Sequence, residues 1–179
     1  MGVIEALEKD VTPFVTQVLH TLHGHGIDVS ENMMDHVCYR VESLSEYEEC
    51  KLELSSKGCL LIENNIGGRP IATFKLNNPI LVTDPISKQV REVRVIELPS
   101  PKTGSFYKTG LEHVEFVIAD SFEHFISKHE KLSFSTKGSF KPVNPEISLK
   151  FKELGFSVKF HHMPLEQVIE LEKAAEVVG

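Results

Sequence analysis

The chain has no apolar run approaching the ~18 residues that span a bilayer, and its first residues, MGVIEALEKD, carry acids where a secretory leader would be basic. Neither a membrane partner nor export is expected, and the reading is a cytoplasmic protein. Cysteine is scarce. Cys38, Cys50 and Cys59 cannot all pair with one another, and nothing marks an oxidising compartment. Positive charge is in deficit: 19 Lys and Arg against 26 Asp and Glu give a net charge of −7, with no basic stripe to offset it. That composition argues against nucleic acid as a partner. GxGxxG, the P-loop, CxxC and GxSxG are all missing, so the chemistries those motifs carry have no support.

What remains is a soluble globular composition, 41% hydrophobic and 25% charged over 179 residues, enough for one sizeable domain or two small units sharing a core. Nine histidines stand out in a chain of this length. His20, His23 and His25 gather at the end of the first expected helix, where the helix dipole favours cations, and that placement accounts for them. The others need a pattern.

Ile4, Leu7, Val11, Phe14, Val15, Val18, Leu19 and Leu22 recur at helical spacing. Thr12-Pro13 interrupts them as an N-cap and first helical residue, so one broken helix or two short ones is predicted, ending at Gly24. MMDHVCYRV alternates as a strand with His36, Cys38 and Arg40 on one face and Val37, Tyr39 and Val41 on the other. A helix follows, opened by a Ser43/Glu46 capping box, with Leu44, Tyr47, Cys50 and Leu54 in its apolar stripe and Gly58 as its stop. Strands CLLIEN and PIATFKL flank a Gly67-Gly68 hairpin turn, NNPILVTDP is read as a connection, and EVRVIELP is a further strand.

The second half repeats the plan. LEHVEFVI is a strand with His113, Glu115 and Val117 on one face. DSFEHFISKHEK is a helix capped by Asp120 with Glu123. SFSTKG is a weak strand, and EISLKFKE and FSVKFHH are stronger ones joined at Leu154-Gly155. Each expected cap, Ser43 and Asp120, lies seven residues past its histidine. Matched histidines, caps and element order indicate an internal duplication. The expected architecture is therefore a mixed α/β (α+β) protein in which tandem βαβββ units form a half-closed mixed β-barrel. Residues 1–30 make an N-terminal helical segment, 31–100 the first unit, 108–163 the second and 164–179 a C-terminal helix that turns Leu165, Val168 and Ile169 inward.

Strand parity then sorts the polar residues. His36 and His113 occupy corresponding strands, Glu97 shares a face with Val93 and Val95, and His161 shares one with Ser157 and Lys159. His162 takes the opposite parity unless a bulge intervenes. His36, Glu97, His113 and His161 thus converge as candidate ligands for a divalent transition metal, Zn, Fe, Ni, Co or Mn. Cys38 has the right parity as well, although a buried cysteine also serves as a small core residue. Glu115 is a general base, a partner orienting a histidine, or a solvated strand residue. Arg40, Lys75 and Lys159 share the cavity parity and suit an anionic small molecule. Arg69, after Gly67-Gly68, either contacts such an anion or holds the turn.

The βαβββ duplication resembles the vicinal oxygen chelate superfamily, whose glyoxalase I and extradiol dioxygenase members bind a metal inside such a barrel. More closely, DHVCYR, GGRPIATFKL, VIELP, LEHVEFV and VKFH followed by EQVI resemble the YecM family of bacterial proteins. The superfamily's ligands sit on the first and last strands of each unit, which the resemblance maps onto His36, Glu97, His113 and His161. The superfamily more often has a carboxylate at the fourth position, where this chain has histidine. The resemblance implies a metal-dependent isomerase, lyase or dioxygenase-type enzyme acting on a small oxygen-rich substrate; strand parity adds the anionic character and gives Glu115 and Arg40 as the catalytic candidates, with a displaced Glu97 as the alternative proton carrier. A non-catalytic metal- or ligand-binding protein of the same fold is the alternative, and a metal-free relic a third.

Overall fold

Ile4, Leu7, Val11, Val15, Val18, Leu19 and Leu22 are all buried along one helix in the computed structural model, which describes residues 2–178. This helix, α1 (Val3–Gly24), runs unbroken through Pro13. The expected break at Thr12-Pro13 does not occur. An interior proline forfeits one backbone hydrogen bond, a cost of about 3 kcal/mol. The apolar stripe continues on both sides of Pro13 and packs on the sheet, which offsets that cost.

Strand β1 (Met33–Arg40) leads to α2 (Leu44–Lys57), β2 (Gly58–Ile66), β3 (Arg69–Thr83) and β4 (Val90–Pro99). The Ser43/Glu46 capping box is present as expected, and Tyr47, Cys50 and Leu54 are buried. Leu44, the first residue of the helix, is 65% exposed and leaves the stripe. Gly67 and Gly68 both have positive φ, 62° and 83°, as a two-residue hairpin loop requires. NNPILVTDP is not a connection. Ile80–Thr83 extend β3 and pair with Val90–Val93 after a register shift between Lys75 and Ile80, where Pro79 lacks the N–H a regular ladder needs.

The second half comprises β5 (Gly110–Val117), α3 (Phe122–Lys128), β6 (Glu146–Phe151) and β7 (Phe156–His161), followed by α4 (Leu165–Val178). Ser121, not Asp120, caps α3, its hydroxyl accepting the His124 N–H at 3.2 Å. Asp120 instead pairs with Lys128 at 2.8 Å. SFSTKG does not form a strand: it makes a single bridge, Ser135 to Ser148, and turns into a 3-10 segment at Lys137–Phe140. The second unit is thus a shortened copy of the first.

All seven strands join one mixed sheet in the order β2-β3-β4-β1-β5-β7-β6. It does not close, with β2 and β6 at its edges. The halves meet where β1 pairs antiparallel with β5, while β1 pairs parallel with β4 and β5 parallel with β7. This arrangement places the first and last strands of each half side by side at the centre. Buried Arg91 fixes the entry to β1, bonding Val29 O at 2.7 Å, Asn32 O at 2.9 Å and Asp84 Oδ2 at 3.1 Å. Helices α1 and α2 pack on the sheet, and α4 contributes Leu165 and Glu172 to a cavity that no residue of α1–α3 lines. No helix among the described residues is long and apolar enough to cross a membrane.

Candidate metal centre

His36, His113 and His161 are 3%, 4% and 0% exposed, so sequence parity placed all three inside. The His36 ring lies 6.2 Å, centroid to centroid, from each of the other two. His162, the competitor, is exposed. Its Nδ1 bonds Ile118 O at 3.0 Å and its ring stacks on Phe122, away from the cluster.

Two β-bulges aim the first pair. In the β1–β5 ladder Met34 opposes Phe116 and His36 opposes Glu115, leaving Asp35 as an extra residue. Further along, Cys38 opposes His113 and Tyr39 opposes Leu111, leaving Glu112 extra on the other strand. A bulge breaks strict alternation, so each acid can turn to the side of the histidine that follows it. His36 Nδ1–H accordingly donates to Asp35 Oδ2 at 2.8 Å, and His113 Nδ1–H donates to Glu112 Oε2. His161 Nδ1–H donates to Met163 O at 2.6 Å, with Asn144 alongside. With every Nδ1 engaged as a donor, Nε2 is the nitrogen that each ring turns to the centre, a lone pair whenever it carries no proton.

Those three Nε2 atoms are buried and none has a hydrogen-bond partner. They point at one carboxylate. Glu115 Oε1 is 3.4 Å from His36 Nε2 and 3.1 Å from His113 Nε2, and Glu115 Oε2 is 3.5 Å from His161 Nε2. Asp35 Oδ2 also lies 3.3 Å from His161 Nε2. Ligand atoms of His36, His113 and Glu115 fall within 4.8 Å of one another, as do those of Asp35, His36 and His161. Buried polar atoms are rarely left unpaired, because each costs about 1–3 kcal/mol. The two ligand groups share His36, and three imidazole nitrogens beside a carboxylate, each ring braced from behind by a carboxylate or carbonyl, are donors of the type a divalent transition metal takes. The residues fit the group.

The charges agree. Burial alone would lower the His36 pKa, but Glu115 and Asp35 outweigh it and hold the imidazole up to about 10. His113 likewise stands well above the usual imidazole range, burial being outweighed by Cys38 and Glu112. Burial would raise Asp35 and Glu112, yet the imidazoles beside them, His161 (Nε2 at 3.3 Å) and hydrogen-bonded His36 for the former and His113 for the latter, hold each down at about 2. Glu115 sits well below the carboxylate range because His36 and Lys159 prevail over its burial. Without a metal, His36 and His113 thus hold their protons at neutral pH, so a metal entering here would displace them, and the carboxylates that favour those protons would favour the cation in their place.

The remaining candidates divide. Glu97 lines the cavity, 3.9 Å from His113 Nε2 and beyond reach of a hydrogen bond. Cys38 is buried beside His113 and Glu112. Lys159 Nζ bonds Glu115 Oε1 at 2.8 Å, Lys75 pairs with Glu166 of α4, and Arg40 pairs with Glu112 at 3.1 Å while lying over the Tyr107 ring. Arg69 donates to Ser100 O. Asp35 and Glu112 carry no role in a strictly alternating strand reading, although the acid-histidine step repeated at 35–36 and 112–113 was their visible signal; Asn144, outside the strands, had none. His36, His113, Glu115, Glu97, Glu112 and Asn144 line a cavity of about 450 Å³, whereas Asp35, Lys75 and His161 are not part of its wall.

The family model described as YecM protein matches residues 4–172. Protein YecM of Escherichia coli K12 is 25% identical over 186 aligned residues, covering 96% of this chain and 95% of that one. An uncharacterised protein of Haemophilus influenzae is 30% identical over 115 residues, 64% of this chain and 57% of its own length. The solved structure of the structural-genomics protein EC4020 superposes with a TM-score of 0.70 at 26% identity, covering 90% of this chain and 88% of that one.

Proposed function

This chain belongs to the YecM family, and we propose that it is a metal-dependent enzyme of the vicinal oxygen chelate type acting on a small, oxygen-rich substrate. One observation carries the reading: three buried imidazole Nε2 atoms without hydrogen-bond partners surround the Glu115 carboxylate. His36, His113 and His161 would hold the metal, with Glu115 as the fourth protein ligand. A divalent metal there would supply Lewis acidity toward two neighbouring substrate oxygens.

The chain's own groups do the rest. Asp35, Glu112 and the Met163 carbonyl fix the three rings in the Nδ1–H form, so that their Nε2 lone pairs face inward. Lys159 holds Glu115 in place through its 2.8 Å contact. In our assignment the two glutamates exchange the roles expected from strand parity. Glu115 is enclosed by four basic groups and serves as a ligand, whereas Glu97 faces the open cavity and is the carboxylate free to take a proton from bound substrate. Arg40, braced against Glu112, steadies the His113 side and lends positive charge to the cavity.

Elemental analysis of purified protein tests this, alongside Glu115→Gln, Glu97→Gln and a His36→Ala/His113→Ala double variant. About one transition metal per chain is expected in the wild type and in Glu97→Gln, with loss in the other two. A wild type that takes up no Zn, Mn, Fe, Co or Ni after reconstitution would overturn the proposal. Full metal content without turnover in any isomerase, lyase or dioxygenase assay would leave the non-catalytic binding protein.

A further inference from the structure

Four cationic side chains line the cavity, and three are already matched to carboxylates. Arg40 pairs with Glu112 at 3.1 Å, Lys141 with Glu146 at 3.1 Å and Lys159 with Glu115 at 2.8 Å. Arg69 is the exception: among the described residues no carboxylate lies within ion-pair distance of it. One of its terminal nitrogens donates to Ser100 O at 2.7 Å and to Tyr107 Oη at 3.2 Å. Ser100 is 1% exposed and its own N–H is bonded to Pro70 O, so the platform beneath Arg69 is rigid.

Tyr107 adds a donor. Its hydroxyl accepts from Arg69 and also from the Lys102 N–H at 3.1 Å, so both acceptor positions are occupied and its proton remains to be given. Arg40 lies 4.9 Å over the same ring, and its buried Nε has no partner. Two guanidinium groups therefore flank one phenol, with spare donors on each and a single balancing carboxylate, Glu112.

Arg40 and Arg69 line the cavity toward the end away from the histidines, with Tyr107 in contact with both. Arg40 is four residues beyond His36 on β1, but its side chain turns back to Glu112 beside His113, so the gap to be spanned is shorter than the strand rise, and Arg69 begins β3 at the hairpin tip. Ile71, Pro99 and Leu165 line the wall between. We infer that Arg69 and Tyr107, supported by Arg40, form an anion subsite. The ligand is then a short aliphatic molecule with two adjacent oxygens at one end and a carboxylate at the other. The two-oxygen end rests on the metal-centre reading; the anion subsite uses none of the metal-binding residues.

Calorimetry with zinc-loaded protein compares 2-oxoglutarate, which has a distal carboxylate, with 2-oxobutanoate, which lacks one. In parallel, the Arg69 Nε–H resonance, assigned by its loss in Arg69→Lys, is followed by NMR. 2-Oxoglutarate is expected to bind about tenfold or more tightly than 2-oxobutanoate and to shift that resonance. Arg69→Met removes the advantage while leaving zinc content and 2-oxobutanoate affinity unchanged, and Tyr107→Phe reduces it by a smaller factor. Equal affinities, or an unmoved Arg69 resonance with zinc bound, overturn the subsite and leave the metal centre standing. If zinc does not load, glutarate is titrated instead: a shifted Arg69 resonance supports the subsite while the metal reading fails, and an unmoved one sinks both.

Discussion

Asp35 and Glu112 decide where two histidines point, because each takes up the Nδ1–H of the next residue and so commits Nε2 to the centre. Removing such a support typically lowers metal affinity about 10–100-fold. Asp35→Asn and Glu112→Gln are each expected to fall in that range in competition with a chromophoric zinc chelator. Wild-type affinity in both would show that the rings are held by packing alone. The same acids set an acid limit for the metal-free protein. Their pKa values are depressed to about 2, so their stabilisation is present above the ordinary carboxylate range, roughly pH 4–4.5, and is lost as pH falls through about 2. His36 is raised to about 10, so its contribution is full below about pH 6.5 and is lost as pH rises through 10. Urea unfolding of metal-free protein at pH 3, 6 and 9 should give the greatest stability at pH 6, and Asp35→Asn should lose less between pH 6 and 3 than the wild type does.

The elements that build the site depend on departures from regularity. The two bulges in the β1–β5 ladder convert alternating strands into a face where acid and histidine act together. At the other end of the sheet, Gly58 joins α2 to β2 so tightly that a Cβ there would lie 2.2 Å from Lys75 O and 2.9 Å from Leu76 Cα, both backbone atoms of β3. Its φ of −164° is ordinary extended backbone, so the demand is for space alone. Gly58→Ala must push β2 from β3 and is expected to cost about 1–3 kcal/mol, read from the urea midpoint. An unchanged midpoint would mean that the strands do not cross so closely.

For the whole molecule, the centre ties the two halves and the C-terminal helix to one point. His36 comes from the first half, and His113, Glu115 and His161 come from the second. Asp35 Oδ2 also accepts the Leu165 N–H at the start of α4, whose Ile169 is buried. A metal bound there stabilises only the assembled state, by about 2.7 kcal/mol at a hundredfold excess over Kd. For a chain of this size that corresponds to a rise in Tm of roughly 5–10 °C, measured by calorimetry with and without zinc. The His36→Ala/His113→Ala protein should show no such rise; an equal one would place the binding elsewhere, with the His20, His23 and His25 group as the first alternative to test.

Periodicity and turn glycines by themselves determined the outline of the duplicated plan, the inward histidines and the Gly67-Gly68 hairpin, because these are local properties of short segments. The shortened second unit, the α3 cap at Ser121 and the unbroken α1 were not legible, since each depends on what packs alongside. The geometry of the candidate site lay furthest from the sequence. Strict alternation assigns Asp35 and Glu112 to the face opposite their histidines, and only the pairing of β1 with β5 creates the bulges that bring acid and imidazole together. For the same reason parity could name Glu97 and Glu115 as facing one cavity, but could not rank them. The distance of each carboxylate from the three nitrogens is set by strand register and by Lys159, and both exist only once the sheet has formed.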